Sequence, residues 1–228
     1  MSAAEYLTAA RDAVDRVSAQ EDGLRASGEL IATALGAGHR VIAFGTGHSH
    51  LLAEELKGRA GGLGAVEAVL EPALMLDEPK KSSAMEQLPG YARLLVEHEG
   101  VGAGDVVIVA SNSGRNAVPV EFAEESGARG ASVIAVTSRA HSAAFTSRAP
   151  SGKRLMEVAD VVLDNGSPAG DALVTLRGRD ERVGAISTVT GALLLQAAIA
   201  EAAQLLAERG QDPGVLVSFN VDASHARS

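Results

Sequence analysis

The stretch Val41-Ile42-Ala43-Phe44-Gly45-Thr46-Gly47-His48-Ser49-His50 decides the fold. Its first four residues are all apolar and two are β-branched, the pattern of a strand buried on both faces. Gly45 and Gly47 let the backbone turn tightly, and residues 51–58 then take a helical period. The same alternation spreads outward from this point. Residues 65–70, 105–110, 132–137 and 160–164 are short runs rich in Val and Ile, and residues 86–98, 116–127 and 187–209 have helical spacing. Upstream, Tyr6, Leu7, Ala10, Val14 and Val17 recur at three- and four-residue intervals, as do Leu24, Leu30, Ile31 and Leu35, before Gly36 and Gly38 end the pattern. Strands alternating with helices predict an α/β fold: a doubly wound, five-stranded parallel sheet with an N-terminal helical pair. Residues 1–38 are expected to form the helical extension, 39–210 the sheet domain, and 211–228 a tail with a short strand near Val215. Residues 164–180 read as irregular.

Composition narrows the function. The 228 residues carry 20 Lys and Arg against 29 Asp and Glu, a formal charge of −9, and aromatics are 3% with no Trp. Neither a nucleic-acid surface nor a base-stacking platform fits that balance. There is no cysteine, hence no thiolate nucleophile and no Cys-ligated zinc. The first residues are charged throughout, unlike a signal peptide, and residues 191–200 are too short and too polar to span a bilayer. A soluble cytoplasmic protein with no membrane partner is expected.

In an open parallel sheet the ligand sits beyond the carboxyl ends of the strands, and two loops there stand out. Gly45-Thr46-Gly47-His48-Ser49-His50 precedes a helix whose N-terminus offers free N–H groups to an anion. A dinucleotide fingerprint would want a third glycine at His50, with Glu67 as its ribose-binding acid. Ser111-Asn112-Ser113-Gly114-Arg115-Asn116 follows the third strand and opens another helix; its hydroxyls and amides suit a phosphate, and Arg115 adds a charge-assisted donor. Each loop is also readable as a capped helix start. Together they favour an anion site.

Gly45-Thr46-Gly47-His48-Ser49 with Ala53-Glu54-Glu55-Leu56, followed by Ser111-Asn112-Ser113-Gly114-Arg115-Asn116, resembles the paired signatures of sugar isomerase (SIS) domains over roughly residues 39–205. The resemblance implies a flavodoxin-like sheet and a bound sugar phosphate. It places phosphate on Ser49, Ser111, Ser113 and Asn116, where Asn116 departs from the family's usual Thr or Ser. The whole chain also resembles stand-alone SIS proteins with a two-helix N-terminal extension.

Phosphosugar chemistry of this kind begins with removal of the C2 proton beside a C1 aldehyde, and the candidates are Glu54, Glu55, Glu86, His48 and His50. Glu54 and Glu55 are about 100° apart on their helix, so one at most points squarely into a site. The Ala53–Leu56 stretch is similar to that of phosphoheptose isomerases and picks out Glu55, although this chain is one helical turn shorter before it. Glu86 is expected to begin the helix before the third strand. His50 and Glu54 have the i, i+4 spacing of metal ligands. Yet the zinc-ligand His of the heptose isomerases' last helix has no counterpart in residues 182–190, so no metal and no cofactor is expected. His48 suits a substrate-orienting donor, with Gly47 beside it. The start of the last helix, with Ser187 and Thr188 as sugar-binding hydroxyls, is similar to that of N-acetylmuramic acid 6-phosphate etherases, which are metal-free lyases. The expectation is therefore an enzyme acting on an amino-sugar 6-phosphate of the N-acetylglucosamine 6-phosphate type, by C2 deprotonation and elimination of the C3 hydroxyl. An aldose–ketose isomerase, a non-catalytic phosphosugar sensor and, last, a dinucleotide enzyme are the alternatives. Apolar helix faces imply a homodimer or homotetramer with sites at interfaces, which His225 or residues 220–222 could reach.

Overall fold

The computed structural model describes residues 2–218 and 220. His225 and Asp222 therefore lie outside the described residues. Strands β1 (Val41–Gly45), β2 (Val66–Val69), β3 (Val106–Ala110), β4 (Ser132–Thr137) and β5 (Val161–Asp164) form one sheet in the order β2-β1-β3-β4-β5. Every pairing is parallel, with Val41 opposite Val66 on one side and Val106 on the other. This is the doubly wound sheet that the alternation of strands and helices predicts, in the flavodoxin-like order that the resemblance implies.

Strand residues alternate between two cores. Val41, Ala43, Val106, Ile108, Ile134 and Val136 pack with α2 (Glu21–Gly36), α3 (His50–Leu56) and α9 (Ser187–Glu208). Ile42, Phe44, Val107, Val109, Val133 and Ala135 pack with α5 (Tyr91–His98), α6 (Ala117–Ala128) and α8 (Leu155–Val158). Period-two side-chain alternation thus feeds both faces, which is why these strands are apolar throughout. Phe44 stacks on Phe122 with ring centroids 4.1 Å apart, adding an aromatic contact to the second core. By length and composition α9 could cross a membrane. Instead Leu194, Leu195, Ala198, Ile199, Ala202 and Leu206 are buried against the sheet and α2.

Three local expectations need correction. The helix expected over residues 86–98, with Glu86 at its start, begins only at Tyr91: α4 (Pro79–Met85) ends just before Glu86, which is its C-cap, and α5 follows Pro89 and Gly90, where φ is +81°. Proline withdraws a donor and glycine reverses the chain, so the helical period on either side does not join. Residues 172–185, partly within the segment read as irregular, form an antiparallel hairpin of β6 (Ala172–Thr175) and β7 (Arg182–Ala185). The short strand expected near Val215 is one antiparallel bridge to Leu63. Helix α1 (Ser2–Ser18) packs on this hairpin and on α9, and the Tyr6 hydroxyl donates to the Ala185 carbonyl at 2.9 Å.

Candidate functional site

The chain leaves β1 toward one edge of the sheet and returns through β3 toward the other, so the loops after these strands part and leave a crevice. A cleft of about 330 Å³ opens there. Thr46, Gly47, His48 and Ser49 line it from the first loop, and Ser111, Asn112 and Ser113 from the second. Glu86 enters from the end of α4, His141 from α7 (Arg139–Ala144), Asp171 and Ala185 from the two ends of the hairpin, and Ser187 and Thr188 from the start of α9.

Local geometry explains the two loops. A Cβ on Gly45 would strike the Ser49 carbonyl, and one on Gly114, where φ is +57°, would come within 2.7 Å of Thr137 Oγ1. Only glycine fits either place. In the second loop Ser111 Oγ accepts from Gly114 N at 3.1 Å, and Asn112 Oδ1 accepts from Asn165 Nδ2 at 2.9 Å and Ser167 Oγ at 2.8 Å. These bonds fix the turn, while among the described residues the Ser113 hydroxyl and the N–H groups of Asn112 and Ser113 have no acceptor. Free donors at the entrance to α6 are what an anion requires.

Glu86 faces these donors. Its Oε2 accepts from Thr46 Oγ1 at 2.8 Å and its Oε1 from Asn116 Nδ2 at 2.5 Å. Burial pushes its pKa above the usual carboxylate range, and the Thr46 bond, the Arg148 charge and the Asn116 bond hold the rise back. A solvated acid at a helix N-terminus, the plain alternative for this residue, does not describe it. Across the cleft Asp171 has φ +67°; its Oδ1 accepts from Ile186 N at 3.2 Å and Ser187 N at 2.8 Å, and its Oδ2 accepts from Ser187 Oγ at 2.7 Å. It thereby satisfies open donors at the start of α9. His141 Nδ1 accepts from Gly170 N at 3.3 Å, so in the neutral ring the proton is on Nε2. Burial lowers the His141 pKa, Asp171 opposes that, and Arg115 reinforces it, which favours the neutral form.

Of the residues singled out in the sequence, the cleft gathers Gly47, His48, Ser49, Glu86, Ser111, Ser113, Ser187 and Thr188. The others lie elsewhere. Glu54 and Glu55 border a neighbouring hollow with Leu51, Leu52, Ala192 and Thr188, and only Thr188 is common to both. Glu55 is bonded to Arg59 at 2.9 Å and Gln196 at 3.1 Å. His50 is buried, with Nδ1–H donating to the Gly47 carbonyl and Nε2 lying 3.8 Å from Glu54. Asn116 is buried behind the loop, its oxygen accepting from Arg148 Nη1 at 3.1 Å. The Arg115 guanidinium lies 5.2 Å from the centre of the Phe145 ring. Glu67 pairs with Arg40 at 3.6 Å near the amino end of the sheet, opposite the cleft, which removes the ribose-binding acid from the dinucleotide reading.

Thr46, Asn112, His141, Asp171 and Ala185 complete the lining and are not among the residues singled out in the sequence. A signal exists for three of them: Thr46 lies inside the glycine loop, Asn112 inside the serine loop, and His141 follows the carboxyl end of β4, where the rule for parallel sheets places ligands. Asp171 lies in the stretch read as irregular and offers none.

Comparison with known proteins agrees with this fold. The SIS domain profile matches residues 5–138. A UPF0309 protein of Halalkalibacterium halodurans is 47% identical over 206 residues, covering 90% of this chain and 85% of that one. Among solved structures, phosphoheptose isomerase GmhA from Neisseria gonorrhoeae superposes with a TM-score of 0.53 at 22% identity, covering 86% of this chain and 92% of the other. The NanR protein of Vibrio vulnificus, solved with ManNAc-6P, gives 0.54 at 17% identity over 90% of this chain and 63% of its own. At these identities the two structures share the fold. With a five-stranded phosphosugar-isomerase-like sheet, a cleft at its switch point and a close UPF0309 relative, the chain belongs to the SIS domain family.

Proposed function

We propose that this chain is an enzyme acting on an amino-sugar 6-phosphate, taking the proton from C2 and expelling the C3 hydroxyl. The observation that carries this reading is the position of Glu86: a carboxylate of raised proton affinity, facing uncharged phosphate donors across one cleft. A cleft of about 330 Å³ suits one small ligand. The phosphate would bind at Ser49, Ser111, Ser113 and the free N–H groups before α6. The open-chain C1 aldehyde acidifies C2–H, and ionised Glu86 takes that proton. As C2=C3 forms, the C3–O bond breaks; the proton gained by Glu86 returns to the departing hydroxyl, which leaves as water. His48 and Ser187 orient the sugar. Binding of ManNAc-6P by NanR, an amino-sugar phosphate on the same fold, supports the substrate class.

The homo-oligomer is part of the proposal. Leu51, Val189 and Leu193 are exposed on α3 and α9 beside the Glu54–Glu55 hollow. A second copy covering them would join that hollow to the cleft through Thr188 and bring Glu55 to the site. Light scattering checks the mass.

The test is NMR of N-acetylglucosamine 6-phosphate and related sugar phosphates with the protein in D₂O. A 2,3-unsaturated product is expected, with deuterium at C2 of the remaining substrate wherever proton removal reverses before the C3–O bond breaks, and both vanish in Glu86→Gln. Deuterium without elimination would mean isomerisation, while binding without exchange would mean a sensor. A binder at 100 times its dissociation constant raises stability by about 2.7 kcal/mol, so thermal shift selects the ligand first. Ser113→Ala should weaken that binding about tenfold, the worth of one charge-assisted hydrogen bond.

A further inference from the structure

Four segments meet behind the cleft. Thr46 donates to one oxygen of Glu86, and Asn116 donates to the other. Asn116 in turn accepts from Arg148 Nη1 at 3.1 Å. Arg148 belongs to the segment after α7, which is tied to the second loop by Arg148 N donating to the Arg115 carbonyl at 2.7 Å. The Val118 N–H also donates to the Glu86 carbonyl oxygen at 3.0 Å, so backbone and side chain both join the end of α4 to the start of α6. Asn116 occupies the N-cap position of α6 without capping it, because both ends of its amide are engaged in this chain.

We propose that Arg148 is a positioning residue for Glu86: through Asn116 it fixes the orientation of the carboxylate and supplies the positive charge that favours its ionised form. This rests on Glu86 being the base. Among the described residues, Arg148 is the charged side chain whose field bears on Glu86, and no carboxylate forms an ion pair with it. Among the described residues its charge is therefore uncompensated by any acid other than the one it serves. The other titratable groups near the site are His48 on the glycine turn, His141 of α7 and Asp171 across the cleft, with Arg115 beside Arg148. An opposite charge lowers a carboxyl pKa, and a hydrogen bond from a fixed amide does the same. Losing Arg148 removes the charge and frees the amide to turn.

The test reads Glu86 directly, without substrate. Protein labelled with ¹³C at the Glu side-chain carboxyls is titrated by NMR, and the Glu86 signal is the one missing from Glu86→Gln. Arg148→Gln should move the Glu86 midpoint upward, while Arg148→Lys, which keeps the charge, should leave it close to wild type. Asn116→Ser cuts the relay with Arg148 in place and should also shift the midpoint upward, which keeps the idea testable if Arg148→Gln does not fold. A midpoint unchanged in a folded Arg148→Gln or Asn116→Ser protein would overturn the proposal. With N-acetylglucosamine 6-phosphate, the acid limb of kcat should move upward in Arg148→Gln with little change in KM. Unimpaired C2 exchange in Glu86→Gln would instead remove Glu86 as the base, and the titration would still decide the part played by Arg148.

Discussion

Asp171 adopts the left-handed backbone conformation, which a residue other than glycine tolerates only at a cost of about 1 kcal/mol. Its carboxylate offsets this with three bonds to Ile186 and Ser187. Asp171→Ala keeps the strain and loses the bonds, so chemical denaturation should find it less stable by about 2 kcal/mol. Glu86 has the opposite balance. Its folded-state pKa is raised by burial, so between the ordinary carboxylate range and that higher value the folded chain holds a proton that the unfolded chain has released. Its contribution to stability is present at low pH and is lost as pH rises through the folded value. Glu86→Gln should flatten that slope in a series of melts across pH. Both residues were differently visible in the sequence. Glu86 is recognisable as an acid near a predicted strand, but nothing local distinguishes a half-buried carboxylate bonded to Thr46 and Asn116 from a solvated one. Asn116 illustrates the same limit: its amide can accept from Arg148 while donating to Glu86, a double duty that shows only when residues 86, 116 and 148 are brought together.

At the scale of elements, the five strands were legible because each is apolar on both faces, and their edges fall within a residue of expectation. The hairpin was not. Its strands are four residues each, and β7 is exposed along its whole length, so no burial period marks it. Its position depends instead on a distant partner. The Tyr6 ring lies where a Cβ on Gly184 would have to go, and its hydroxyl holds the Ala185 carbonyl. Helix α1 thus braces the wall that carries Ala185 and Asp171 into the cleft. Tyr6→Phe should cost about 0.5–1 kcal/mol, the net worth of one exposed hydrogen bond. Tyr6→Ala also removes the ring, and isothermal titration should find sugar-phosphate affinity reduced more than the melting temperature suggests.

Taken whole, the molecule has two apolar cores separated by one sheet, and α9 closes the first of them. Leu195 is buried at 1% exposure among the residues of that core. Leu195→Ala should therefore lower stability by about 3 kcal/mol in urea titration without changing the lining of the cleft. The core was readable from hydrophobic period alone, because burial on both faces leaves a continuous signal in each strand. The cleft was readable only in part, since its walls come from five separate connections between Thr46 and Thr188. That scattered origin has a kinetic consequence. Parallel strands must be joined by crossovers before any of them can present its loop, and such long-range pairing forms late in folding. His141, Asp171 and Ser187 all follow β4, which ends at Thr137. A nascent chain that has emerged only that far owns the glycine turn and the serine loop but not the wall opposite them. Sugar phosphate should then bind only after the last helix has docked, and its presence should slow hydrogen exchange across the entire sheet rather than in the loops it touches.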